Sequence, residues 1–289
     1  MLDETRYVSH KFAIITKIFN EHASYIGPDV VNIAKNKAGI ITAGTQAVIT
    51  AEQDENILKI IKNRAKLFNS KIKIENVDFF GRHTHEDCEE NIASLKSSID
   101  YGDFNLGIHG KYQSQNAALA VACAEIINNN KPIEKKIISS SLNKSSWPGR
   151  CQVLSKKPLI VLDATVSGQG AKDLLEFAKA EDYRHIFTVI SVPDDKDAEG
   201  IIKAYSKESS FIIITGTYNK FLSYDFARIA MIAETFLKKN KFEIIENVRD
   251  SIKKVKSMSS KDDIILLSGT LSFVGDVLKI FNLNADNLW

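Results

Sequence analysis

The chain has 289 residues and 32.2 kDa, the length of two domains or one large one. Its 44% hydrophobic and 26% charged residues exclude a disordered or fibrous polypeptide. Its 38 basic against 36 acidic residues leave a net charge of +2, which gives no electrostatic footprint for nucleic acid or an anionic membrane.

Phe12 to Ile18 is a short β-branched apolar run and reads as a buried strand, ending in the polar cluster Phe19-Asn20-Glu21-His22. Gly27-Pro28-Asp29 marks a turn and helix start, with Asp29 as N-cap; the helix runs to about Ala38 and stops at Gly39. A strand follows at Gln46 to Thr50. A helix from about Asp54 to Phe68 follows it, with Ile57, Ile60, Ile61 and Ala65 at helical spacing. Lys71 to Ile108 alternates apolar and polar residues around the polar stretch 81–103 and reads as an antiparallel excursion. Gln113 to Asn128 is an Ala-rich helix closed by Asn128-Asn129-Asn130 and Pro132.

After Pro148-Gly149-Arg150 the pattern becomes regular. Strand-like runs at Leu159–Leu162, Ile186–Val192, Phe211–Thr215, Phe242–Ile245 and Ile264–Leu267 are separated by amphipathic helical segments. Parallel strands require crossover helices, so this alternation predicts a doubly wound, mostly parallel sheet. The domain boundary is expected near Arg150 to Lys157. No apolar run nears the ~20 residues that span a bilayer, and Met1-Leu2-Asp3-Glu4 does not open a signal peptide. The three cysteines, at 88, 123 and 151, lack CxxC spacing and suit a reducing compartment. A cytoplasmic protein is expected.

Four constellations could carry chemistry. Glu21-His22 lies just past a strand, where open α/β sheets place ligands, and Lys37 follows fifteen residues after His22. A histidine can bind a metal, and a lysine kept neutral can form a carbamate that also ligates one. A surface-loop histidine and a solvated helix lysine are the ordinary alternative. Asn116, Arg150 and Asp163 offer an amide, a guanidinium and a strand-end carboxylate, a set that suits a nucleotide; a helix-start amide, a linking salt bridge and a capping Asp would serve as well. Ser167-Gly168-Gln169-Gly170-Ala171 resembles the start of a dinucleotide fingerprint, yet Asp173 stands at the third glycine, which favours a tight strand-to-helix turn. His83-Thr84-His85-Glu86-Asp87-Cys88 has zinc-capable side chains but no distant partner ligands, which favours an exposed hairpin. No GxxxxGK[ST] occurs in the chain.

Six segments in order resemble the folylpolyglutamate synthase / dihydrofolate synthase family of the Mur ligase superfamily, over nearly the whole chain. Residues 15–22 resemble ITxIxxDH, and residues 26–40 resemble LGxTxxxIAxEKAGI. Residues 113–120 resemble QxxNAALA, residues 147–152 resemble WPGRxQ, Asp195-Lys196-Asp197 resembles DKD, and residues 268–274 resemble the closing GSLyfvg. The resemblance implies an α/β fold with two lobes. The first, 1–150, is the C-terminal part of a central ATPase domain; the second, 151–289, is a Rossmann-like doubly wound ligase domain. It implies His22 as a magnesium ligand and Lys37, carbamylated, as support for a second magnesium. It further implies Asn116, Arg150 and Asp163 as ATP contacts, and Leu2, Asp3 and Glu4, which resemble part of GGRLDATN, as the border of a pteroate pocket.

The implied reaction is ATP-dependent ligation of L-glutamate to a folate or pteroate carboxylate through an acyl phosphate. His22, Lys37 and Arg150 are its catalytic residues, and neither nucleic acid nor membrane takes part. Two departures stand out. The chain starts inside GGRLDATN, so the family's GTNGKGS loop is expected from an N-terminal P-loop portion, supplied as a separate chain or lost. The family's DGAHNPxGA reads Asp163-Ala164-Thr165-Val166-Ser167-Gly168-Gln169-Gly170-Ala171, with Val166 for histidine and Ser167 for asparagine. The second departure admits an alternative: a non-catalytic remnant acting as a binding or scaffolding protein.

Overall fold

A computed structural model describes residues 8–19 and 29–283. The chain divides into two compact units. The first comprises Met1–Thr84, Ile92–Leu106 and Tyr112–Lys144; the second comprises His85–Asn91, Gly107–Lys111 and Ser145–Trp289.

In the first unit, strands β1 (Phe12–Ile15), β2 (Ala47–Thr50) and β3 (Lys71–Ile74) form a parallel sheet in that order. The strand expected over Phe12–Ile18 stops at Ile15 because a side chain takes over its pairing. The Gln53 amide donates to the Thr16 carbonyl (2.9 Å) and accepts from the Ile18 N–H (3.0 Å). Helix α1 (Val30–Lys37) starts where Asp29 accepts from the Asn32 N–H at 2.8 Å, as the sequence predicts, and runs into a short 3₁₀ turn at Ala38–Ile40. With α2 (Glu55–Leu67), it buries Ile33, Ile57 and Ile61 against Ile15 and Val48 on one sheet face. Each such side chain contributes about 1.5–3 kcal/mol.

The other face packs on α3 (Gln113–Ile127) and on a second sheet, β4 (Phe80–Glu86), β5 (Asn91–Lys96) and β6 (Asp100–Asn105). The excursion expected from Lys71 therefore begins only at Phe80. β3 is a parallel strand, and its alternation reflects one apolar face, with Ile72 and Ile74, and one face carrying Lys71 and Lys73. Asn129 and Asn130, at φ +58° and +61°, end the α3 region in left-handed conformations that asparagine tolerates. Helix α4 (Lys135–Lys144) follows, without a counterpart in the sequence reading.

In the second unit, β7 (Gln152–Lys156), β8 (Leu159–Asp163), β9 (Ile186–Ser191), β10 (Ser209–Ile214), β11 (Phe242–Ile244) and β12 (Ile264–Gly269) form a six-stranded sheet ordered β11-β10-β9-β12-β8-β7. All pairs are parallel except β7 with β8. Its strands are apolar on both sides, as a sheet covered on two faces demands. Val161, Ile190, Ile212 and Leu266 meet α5 (Gly168–Lys179), α6 (Ala198–Tyr205) and α7 (Phe226–Phe236). Leu162, Val189, Ile213 and Leu267 meet α8 (Val248–Met258) and α9 (Leu271–Ile280). Strand β12 lies between β8 and β9, and its chain leaves toward the face opposite theirs. The helices therefore part at the carboxyl ends of these three strands, where doubly wound sheets hold ligands.

Candidate active site at the carboxyl edge of the second sheet

Arg150 sits in a turn between two left-handed residues, Gly149 at φ +68° and Cys151 at φ +43°. Glycine is required at 149 for a second reason: a Cβ there would lie 2.6 Å from a Val274 methyl on α9. The end of β8 pins the turn. The Ala164 N–H donates to the Gly149 carbonyl (2.7 Å), and the Cys151 N–H donates to Asp163 Oδ2 (2.9 Å). The Gly149 N–H donates to Gln152 Oε1 (3.0 Å).

Asp163 is the last residue of β8 and only 7% exposed. Its Oδ1 accepts from the Thr165 hydroxyl. Burial pushes its carboxyl above the usual range, against the bonds from Thr165 and Cys151 and the Arg150 charge. The Tyr205 hydroxyl donates to Ser268 Oγ at 2.8 Å. Tyr205 and Ser268 are buried, and their bond ties α6 to the end of β12. Beside the turn, His109, Trp147, Pro148, Arg150 and Gln152 line a cavity of about 220 Å³. The Cys151 thiol is buried and held well above its ordinary pKa by that burial and by Asp163.

The glycine-containing loop after β8 is a closed helix start. The Gly170 N–H is taken by its N-cap Ser167 and the Gly168 N–H by Asp197 Oδ2 (2.9 Å). Asp197, the last residue of the DKD segment, also accepts from the Gly200 N–H at 2.9 Å and so caps α6. One carboxylate thus serves two helices, whose backbones touch closely enough that a Cβ on Gly168 would lie 2.9 Å from Gly200. These N–H groups are spent internally and do not form an anion cradle, which agrees with a tight turn. Ser167 works as a cap where the family has asparagine, and Val166 is exposed.

The second unit therefore brings Arg150 and Asp163 together. The other expected site residues belong to the first unit or fall outside the described residues. Lys37 closes α1 and Asn116 lies exposed on α3, donating to Gln113 Oε1 (2.8 Å); both belong to the first unit. Leu2, Asp3, Glu4 and His22 fall outside the described residues. His83 and His85 lie on β4, where His85 faces Asp87 at 3.2 Å. Among the described residues no three His, Cys, Asp or Glu side chains gather as a metal-binding group. Sequence reasoning missed Thr165, Tyr205, Ser268 and His109. Ser268 was in view only as part of the closing segment, and no local signal links Tyr205 to it, 63 residues away.

Comparison with known proteins adds three findings. Residues 149–271 match the family described as Mur ligase, glutamate ligase domain. The chain is 27% identical to the dihydrofolate synthase/folylpolyglutamate synthase of Bacillus subtilis, over 96% of this chain and 64% of that protein. The corresponding figures for Mycobacterium tuberculosis are 26%, 86% and 53%. The chain thus spans less than two thirds of the length of either relative. In fold it is similar to Mycobacterium tuberculosis folylpolyglutamate synthase complexed with ADP, with a TM-score of 0.87 at 23% identity, over 96% of this chain and 65% of that one. It is likewise similar to Escherichia coli FolC in complex with DHPP and ADP, with a TM-score of 0.80 at 19% identity, over 97% and 64%. Among the described residues no helix is long and apolar enough to cross a membrane.

Proposed function

We propose, from the premise that the chain belongs to the Mur ligase family with residues 149–271 as its glutamate ligase domain, that it takes part in ATP-dependent ligation of L-glutamate to a folate or pteroate carboxylate in the cytoplasm. The carboxylate attacks the γ-phosphorus of ATP and becomes an acyl phosphate with release of ADP. The glutamate amine then adds to the acyl carbon, loses its proton, and phosphate leaves. Charge stabilisation carries such a reaction. The observation that supports this reading most is Arg150, a guanidinium presented at the carboxyl edge of the sheet by a turn with two left-handed residues. There it offsets phosphate negative charge as phosphate leaves.

In this reading Asn116, Arg150 and Asp163 form the nucleotide site, and Leu2, Asp3 and Glu4 border the pteroate. His22 and a carbamate on Lys37 hold magnesium, which supplies Lewis-acid charge when bound; no step above is routed through it. The β- and γ-phosphates need a nest of backbone N–H groups. A P-loop portion, on the same or a separate polypeptide, supplies that nest. Similarity to the two named relatives supports the substrate class.

The test is glutamate-dependent ADP formation by this chain together with a P-loop-containing portion. Arg150→Ala is expected to lower it by two orders of magnitude or so, about 2.7 kcal/mol. No ADP formation and no nucleotide binding in any reconstituted pair would overturn the proposal. The remnant reading is favoured by Val166 and Ser167. Under it, ADP–magnesium binds in calorimetry yet no turnover follows, even after Val166→His with Ser167→Asn.

A further inference from the structure

The amino edge of the second sheet, opposite the edge that carries Asp163, holds a separate cavity of about 480 Å³. Four adjacent strands, β11, β10, β9 and β12, contribute to it from their starts. β9 is six residues long, so about 20 Å of strand separates this cavity from the carboxyl edge.

Two cations line it. Lys241, just before β11, donates from Nζ to the Ser210 carbonyl on β10 at 3.1 Å, which holds the ammonium at the rim with its remaining N–H groups unspent. Arg184, just before β9, is fixed through its backbone, where its N–H donates to the Asp262 carbonyl at 2.9 Å. Its guanidinium has no hydrogen bond or ion pair among the described residues, so a fork of donors is left for a ligand.

His185, next in the chain, is oriented from below. Asp263 is 5% exposed and accepts from the Ser260 N–H (2.6 Å) and the Ser260 hydroxyl (2.8 Å). Burial pushes its carboxyl up, but the bonds from Ser260 and His185 outweigh that and hold it below the usual range. An ionised carboxylate only accepts, so His185 Nδ1, 3.2 Å from Asp263 Oδ1, carries a proton. That leaves Nε2 for a ligand; it accepts from a P–OH group when the ring is neutral and donates to a P–O⁻ group when it is charged. The negative charge on this edge is already engaged. Asp263 is spent as described, and near the carboxyl end of α8 the Ser257 and Ser259 hydroxyls donate to the Lys254 and Lys256 carbonyls at 2.7 and 3.3 Å. The wall beneath the cations is apolar: Phe187 is nearly buried, Met258 is half-buried, and the His185 ring tilts against Phe187 with centroids 6.2 Å apart.

We propose that this cavity binds a small phosphate monoester with an apolar or aromatic body. Arg184 and Lys241 take the phosphate oxygens, His185 bonds the third, and the body lies on Phe187 and Met258. A guanidinium and an ammonium together offset the charge of a phosphate monoester, and the apolar wall gives the body a surface to leave water for. The site is independent of the ligase reading and of Arg150.

The chain has three methionines, Met1, Met231 and Met258, so the full chain labelled with ¹³C at the methionine methyls reports on the wall directly. The probe is phenyl phosphate, followed by NMR titration. The Met258 methyl is expected to shift saturably while Met231, exposed on α7, stays in place. Inorganic phosphate should bind about fivefold more weakly, and phenol should give no saturable shift. Arg184→Ala with Lys241→Ala should weaken binding about tenfold or more, at unchanged melting temperature because both side chains are exposed. Arg150→Ala should leave the affinity within about twofold. If the double variant melts earlier than the parent, Arg184→Gln, which removes no hydrogen bond of the fold, is read in its place, with about threefold weakening expected. No saturable shift of Met258, an equal response to phenol, or full affinity in the cation variants overturns the site. Loss of the shift in Arg150→Ala overturns it too, since the probe would then act from the carboxyl edge.

Discussion

The two units each bury a carboxylate, and they treat it in opposite ways. In the first unit Glu125 on α3 is fully enclosed. It accepts from Ser97 Oγ (2.6 Å), Ser98 Oγ (2.6 Å) and Tyr101 OH (2.8 Å), and Lys73 Nζ lies 3.5 Å away. Burial pushes its pKa up, but the hydrogen bonds from Ser97, Ser98 and Tyr101 outweigh that, and the net shift is downward. In the second unit Asp163 has fewer donors, burial wins, and its pKa is raised. Glu125 is a bolt between a helix and the β5–β6 turn; Asp163, at the edge where ligands belong, is buried with too few donors to offset that burial. A buried carboxylate surrounded by surplus donors marks structure. One left short of them at a ligand-binding edge is a functional-site candidate.

The sharpest way to break this contrast is Glu125→Ala. It strands the buried hydroxyls of Ser97 and Tyr101 and removes the partner of Lys73, and a loss of about 3–5 kcal/mol is expected in urea unfolding of the first unit. A loss under about 1 kcal/mol would show that Glu125 is not a bolt. Its pH dependence follows from the downward shift. The stabilisation is complete above the unfolded glutamate value of about 4.3 and is lost as pH falls through the lower folded value. Asp163 runs the other way: its contribution is complete below the unfolded aspartate value of about 3.9 and is lost as pH rises through the raised folded one. The stability of Asp163→Asn relative to the parent should therefore improve as pH rises, measured by melting temperature across the range, whereas Glu125→Gln should lose ground over the same rise.

Next in size is Gly149→Ala. It combines a left-handed φ with a methyl 2.6 Å from Val274, and should cost about 2–3 kcal/mol in the second unit. Val274→Ala should recover part of that loss; no recovery would leave backbone conformation as the whole effect. Smallest is Lys111→Ala. It removes an exposed pair with Glu176 at 2.6 Å and should shift stability by less than about 0.5 kcal/mol. A larger shift in chemical denaturation would show that surface charge matters more in the second unit than its burial pattern implies.

The elements of the second unit were legible because its strands are uninterrupted β-branched runs separated by amphipathic helices; only β7, with its half-buried Gln152–Lys156, escaped. In the first unit local patterns misled where side chains replaced backbone partners. Gln53 ends β1 early, and Lys71 and Lys73 give β3 the alternation of a half-exposed antiparallel strand although it pairs in parallel. At the site, Arg150 and Asp163 stood out as residues, but their relation did not. That relation depends on a left-handed Cys151 whose N–H donates to Asp163, a contact that no periodicity encodes.

The membership of the second unit has a practical consequence for anyone preparing it in isolation. Besides everything from Ser145 onward, that body includes His85–Asn91 and Gly107–Lys111. Both are tied in: the Cys88 N–H donates to Glu181, the Gly110 N–H to Glu86, and the Asn91 amide to the Ile108 carbonyl at 2.9 Å. A gene fragment cut at codon 145 would leave its product without two short inserts and expose the surface they cover. A soluble half-protein would call for a circularly rearranged or grafted design instead of a simple deletion.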